Sequence, residues 1–147
     1  MKNQYLNKNY FVKTAKVFCT ERGFQYTAPR HAVLKTVLAS NQALGAYDII
    51  EIIGDNRAGQ NPKPPTIYRA LDFWTKHGFI HKVESLNKYI VCCENGAHKN
   101  ISVLICDKCG DVKEAHLSVE DLTIAKETKF TPKSLKTEVY GLCKECG

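Results

Sequence analysis

Apolar residues in the first half of the chain recur at helical spacing. Val12, Ala15 and Cys19 form a stripe that predicts a helix over 10–22, ended by Gly23. A second helix opens at Pro29 behind Thr27 as its cap, with Val33, Leu34, Val37 and Leu38 turned inward. After a turn over 41–45, the segment 46–55 carries Ile49, Ile50, Ile52 and Ile53 as its buried side. The helix over 65–77 sets Ile67, Ala70, Leu71 and Trp74 at i, i+3, i+4 and i+7 and leaves Tyr68, Arg69, Asp72, Thr75 and Lys76 off that stripe. Two prolines and Thr66 mark its N-terminus, where backbone N–H groups can meet a phosphate. The period then shortens. Segments 79–84 and 88–92 read as two strands around a Ser85-Leu86-Asn87 turn. Helices followed by a hairpin is the order of a winged helix-turn-helix, whose second turn helix enters the major groove.

Beyond residue 93 the pattern changes. Residues 94–100 are polar and read as a hinge, and a strand over 101–105 enters Cys106. A second strand spans 112–117, and Ser118-Val119-Glu120-Asp121 resembles a capping box opening a short helix to about 129. A last strand over 135–140 runs into Gly141-Leu142-Cys143. The expected fold class is α+β: a winged helix-turn-helix domain over 1–93, the hinge over 94–100, and a small α/β domain over 101–147.

Composition changes this picture in two ways. The net charge of +6 lies wholly in residues 1–80, which hold every Arg, whereas 81–147 are neutral overall. The helical half is therefore the one expected to face a polyanion. Cysteines run the other way, with Cys19 alone in the first half and six after residue 90. The first eight residues lack the apolar core of a secretory signal, and the longest apolar runs fall far short of a membrane span. A cytoplasmic protein is expected, in which seven cysteines point to metal rather than disulfides.

The strongest motif is Cys106-x-x-Cys109-Gly110 paired with Cys143-x-x-Cys146-Gly147. Each two-residue gap aims two thiolates of one turn at the same ion, and two such knuckles supply the closed tetrahedral set of a structural zinc site. Redox dithiols are the alternative, and doubling of the motif at two strand ends favours zinc. A second set is more scattered: His81, Cys92, His98 and Glu114, with Cys93, His116 and His77 nearby. His81 and Cys92 are about equally far from the hairpin turn, so they are candidates to face each other. Read singly, each has a bland explanation as a strand, core or surface residue. Enzyme motifs are absent. His77 and His81 have the spacing of a zinc protease but lack its Glu and enclose Gly78. No catalytic residue is assigned, Cys19 reads as core, and His31 reads as a lone surface residue.

Three stretches together resemble the ferric uptake regulator family, and most of all its zinc uptake regulator branch. They are Lys63-Pro64-Pro65-Thr66-Ile67-Tyr68-Arg69-Ala70-Leu71-Asp72-Phe73, Gly78-Phe79-Ile80-His81-Lys82-Val83-Glu84-Ser85 and Ile105-Cys106-Asp107-Lys108-Cys109-Gly110. The resemblance implies a homodimeric, metal-dependent repressor with a winged-helix N-domain and a C-terminal dimerisation domain. It implies that Cys106, Cys109, Cys143 and Cys146 hold structural Zn²⁺, and that His81, Cys92, His98 and Glu114 hold regulatory Zn²⁺. It also implies that Tyr47 and Arg69 touch bases of operator DNA and that Tyr68 belongs to the recognition-helix motif. Thr66 at the helix start, with Lys63, Arg57 and Lys88, fits phosphate contacts, which position without specifying. Lys99-Asn100-Ile101-Ser102 stands where iron and peroxide sensors of the family carry His-His-Asp-His, which argues against iron or peroxide sensing. The remaining alternatives are a nickel, manganese or iron sensor of the same family, or a purely structural zinc-ribbon protein. A hydrolase needs an open coordination position that four protein ligands do not leave. No membrane and no small-molecule substrate beyond the metal ion is expected.

Overall fold

The computed structural model describes residues 7–94, 100–115, 117 and 123–147. Helix α1 (Lys8–Glu21) starts at Asn7, whose side chain accepts from the Tyr10 N–H at 3.1 Å. It ends where Gly23 turns to φ +72° and the Phe24 N–H donates to the Cys19 carbonyl. Its buried stripe is Phe11, Ala15 and Cys19, so Phe11 takes the place expected for Val12, which is half-buried. Helix α2 (Ala28–Ala39) is capped by the Thr27 hydroxyl and buries the four expected residues. In α3 (Ala46–Asp55) the Asp48 carboxylate accepts from the Gly45 N–H at 2.8 Å. This helix buries Ile49, Ile50 and Ile53, but Ile52 faces outward at 37% exposure, because the four isoleucines span more arc than the core covers. Gly54 is required: a Cβ there would stand 1.7 Å from Asn61 Oδ1, in the loop that folds back over the helix end.

Helix α4 (Pro64–Lys76) buries Ile67, Ala70, Leu71 and Trp74, as its period dictates. Trp74 is the largest fully buried side chain, and truncating a core aromatic of that size costs about 3–5 kcal/mol. Strands β1 (Ile80–Val83) and β2 (Lys88–Val91) pair antiparallel around a short 3-10 turn, with Asn87 at φ +49°. Leu44, read from sequence as turn, adds a third rung: its N–H and carbonyl both bond Tyr89. The chain separates into two units, Met1–Ala97 and His98–Gly147.

The second unit is a three-stranded sheet in the order β4-β3-β5, from β3 (Ile101–Cys106), β4 (Val112–Ala115) and β5 (Lys136–Gly141). β4 returns antiparallel to β3, whereas β5 runs parallel to it. β4 brings the chain back to the end at which β3 began, and the connection carrying α5 (Thr123–Glu127) leads from there to β5 on the other side of β3. The expected capping box over 118–121 lies outside the described residues.

His31 does not stand alone, contrary to the expectation from sequence. Its Nδ1 lies 3.0 Å from the Tyr26 hydroxyl, and burial together with Lys16 and Lys35 lowers its pKa. Burial also lowers His77, aided by Lys76, Arg22 and Arg30. Both histidines are harder to protonate folded than unfolded, so the unfolded chain gains protons first and stability falls as pH drops through ~6.5. Unfolding followed by the fluorescence of Trp74, the sole tryptophan, is expected to lose midpoint temperature over that range. The double variant His31→Gln/His77→Gln is expected to lose less; an unchanged pH slope would place the acid sensitivity elsewhere.

Candidate metal centres and nucleic-acid face

Parallel pairing of β3 with β5 sets Cys106 opposite Gly141, so both strands end at the same edge and their knuckles emerge side by side. Each knuckle is a tight turn. The Gly110 N–H donates to the Cys106 carbonyl with Gly110 at φ +72°, and the N–H groups of Cys146 and Gly147 donate to the Cys143 carbonyl. The four sulfurs lie within 4.8 Å of one another. Four Zn–S bonds of ~2.3 Å in a tetrahedron require S···S edges of ~3.8 Å, and Cys109 Sγ stands 3.7 Å from Cys143 Sγ. The residues fit the ion.

Electrostatics of this cluster point the same way. Backbone N–H groups of Cys109 and Cys143 face the Cys106 sulfur and hold that thiol down at about 6. The sulfurs of Cys143 and Cys109 push Cys146 up to about 12. Four thiolates cannot ionise side by side without a cation, and a bound divalent ion displaces those protons.

Within the first unit, His81 and Cys92 are both fully buried, with their ligand atoms within 4.8 Å of each other. They face each other as expected, though with a diagonal offset in register. His81 pairs with Ile90, while the Cys92 N–H donates to the Phe79 carbonyl at 2.9 Å, so the two are diagonal neighbours on one face of the hairpin. A thiol and an imidazole this close and sealed from water are a donor pair suited to zinc and ill-suited to magnesium or manganese. Cys93, half-buried in the turn after β2, is not among the grouped donors. Glu114 is half-buried on β4, opposite Val103. His98 lies outside the described residues.

All the expected nucleic-acid contacts belong to the first unit. Tyr47, in the first turn of α3, is 69% exposed. Tyr68 and Arg69 are exposed on α4, Lys63 is exposed at its N-cap, and Thr66 is half-buried in its first turn. Arg57 is exposed in the loop after α3 and Lys88 is exposed at the start of β2. Sequence reasoning missed Arg30, whose guanidinium lies 3.5 Å from the Phe73 ring centroid on α4.

Fold and site together define a winged-helix nucleic-acid-binding unit joined to a small α/β unit with a four-thiolate metal site. The sequence pattern of the ferric uptake regulator family matches residues 21–140, and the chain belongs to that family. Over 137 residues it is 38% identical to the zinc uptake regulation protein of Escherichia coli K12, spanning 90% of this chain and 78% of that protein. Among solved structures, a zinc uptake regulator complexed with zinc and DNA superposes with a TM-score of 0.82, at 34% identity and 95% coverage of both chains. The holo form of XcZur superposes at 0.77, with 33% identity, over 93% of this chain and 96% of that one.

Proposed function

We propose that the protein is a zinc-responsive transcriptional repressor that binds operator DNA as a homodimer when its regulatory site is filled, controlling zinc-uptake genes. The observation that carries this reading is the sealed His81–Cys92 donor pair in the wing of a DNA-binding unit, in a chain that resembles zinc uptake regulators. Cys106, Cys109, Cys143 and Cys146 hold the structural ion, and His81, Cys92, His98 and Glu114 hold the regulatory one. When bound, the first ion supplies a closed crosslink and the second couples occupancy to DNA affinity by favouring the binding-competent form, no further than its differential affinity allows.

The chain's own residues do the recognition. Arg69 presents a planar fork of donors that matches guanine O6 and N7, worth ~1–3 kcal/mol in discrimination, and Tyr47 adds a second base contact. Tyr68 flanks Arg69, while Thr66, Lys63, Arg57 and Lys88 meet phosphates. Pairing of two copies sets two recognition helices on one pseudo-palindromic site. The C-terminal unit supports pairing: Leu104 and Val139, neighbours across the ladder, stay exposed with Tyr140 and Leu142. Among the described residues no helix is long and apolar enough to cross a membrane, and the cytoplasm is the compartment proposed.

The test is a titration of metal-stripped protein with zinc, nickel, manganese and iron(II) against promoter DNA of zinc-uptake genes. Zinc is expected to raise affinity at the lowest free concentration and about 30–100-fold overall. Binding indifferent to metal would leave only a structural zinc-binding DNA protein.

A further inference from the structure

Arg30 is not among the expected DNA contacts, yet it grips the helix that carries them. Its guanidinium lies over Phe73 at 3.5 Å and donates to the Gln25 carbonyl, while its own carbonyl accepts from the Trp74 indole N–H at 2.8 Å. Phe73 is held on its other sides by Phe24, Trp74 and His77, with ring centroids 5.4, 4.9 and 4.7 Å away. Thr66, Arg69, Phe73 and His77 follow one another at intervals of three, four and four residues, so they share one stripe of α4. Toward its N-terminal end that stripe presents Arg69 to solvent, and a single turn further along Arg30 clamps it at Phe73.

The buried stripe of Ile67, Ala70, Leu71 and Trp74 sets how far α4 stands from the core. Interdigitated packing along that stripe restrains rotation about the helix axis from the inner face only, and Arg69 and Phe73 lie off it. A plate stacked on the flank limits that rotation directly. We propose that Arg30 is a positioning residue for base recognition: stacked on Phe73, it fixes the roll of α4 and so aims Arg69 at the base edges. The inference rests on the reading of α4 as the recognition helix. Arginine is suited to the role because its planar, delocalised cation stacks on a ring face while its remaining donors bond a carbonyl, and a lysine ammonium cannot do both.

Arg30→Lys separates aim from charge. The full-length, zinc-loaded protein would be tested against the duplex that the wild type enriches from a randomised pool, and against a shuffled duplex of the same composition. Arg69→Ala sets the full loss of preference. Arg30→Lys is expected to weaken binding to the enriched duplex about tenfold, and to the shuffled one by less than about twofold, with an unchanged salt dependence. Phe73→Leu should match it, and the double variant should be no worse than either alone, since both remove one stack. Trp74 emission reports whether each variant is folded at the assay temperature; should Phe73→Leu not fold, Arg30→Gln replaces it and is expected to lose the same preference. Equal losses on both duplexes would make Arg30 a phosphate contact, and an unaltered preference or additive losses would also overturn the proposal. A wild type that enriches no duplex, or does so without zinc, would instead sink the reading of the protein as a zinc-responsive repressor.

Discussion

Replacing Cys106 by serine is expected to empty the four-thiolate site, unfold the C-terminal unit and dissociate the dimer. Cys106 is the member whose sulfur is most stabilised as a thiolate, since the N–H groups of Cys109 and Cys143 face it. A serine hydroxyl stays protonated and is a poor zinc ligand. The unit has little else to hold it. Among the residues of this unit whose burial is described, only Ser102, Val103, Ile105 and Cys106 are buried, against a core of eighteen mutually packed residues in the first unit. Units of some fifty residues rarely fold on so small a core without a metal, a disulfide or a partner. Structural zinc sites of this kind contribute an apparent ~10–16 kcal/mol at neutral pH, comparable to the whole stability of an ordinary domain. Zinc content per chain and sedimentation of the variant check the expectation. A variant that remained a dimer with its melting point unchanged would remove the structural role from this site.

The second large effect is expected for Cys92→Ser. The substitution is nearly isosteric, and the Cys92 N–H that bonds Phe79 belongs to the backbone, so the hairpin should survive. What is lost is the soft donor beside His81. One tightly held zinc per chain should remain, in the four-thiolate site, while zinc-dependent affinity for operator DNA falls by ~30–100-fold, the usual size of such couplings. Metal analysis and DNA binding with and without zinc, on the same preparation, decide it. Retention of zinc-dependent binding would show that the regulatory ligands lie elsewhere. His81→Ala is a poorer probe, because it also opens a cavity at a fully buried position.

The two variants also divide what was legible in the chain from what was not. The helices, their caps and their inward faces follow from residues within a turn or two of each other, as for Ile67, Ala70, Leu71 and Trp74 on α4. Each Cys-x-x-Cys knuckle is local in the same way, so its chemistry could be read directly. Ile52 shows the limit: four apolar neighbours specify a buried helix, and only the surroundings decide which of the four is left outside.

Pairings between distant residues were of another kind. Both knuckles were visible, but the parallel register of β5 on β3 is what brings Cys109 to Cys143, 34 positions on. Strand parity puts His81 and Cys92 on one face, yet their diagonal offset comes from the one register the hairpin adopts. Arg30 reaches Phe73 and Trp74 across more than forty residues with no local pattern to announce it. By itself, then, the sequence determined the elements, the donor types and the division of charge between the two halves, because propensity, periodicity and ligand spacing act over a few residues. Only the tertiary structure decided which donors share an ion and what steadies the recognition helix, because register and packing are chosen by the whole unit as it excludes water.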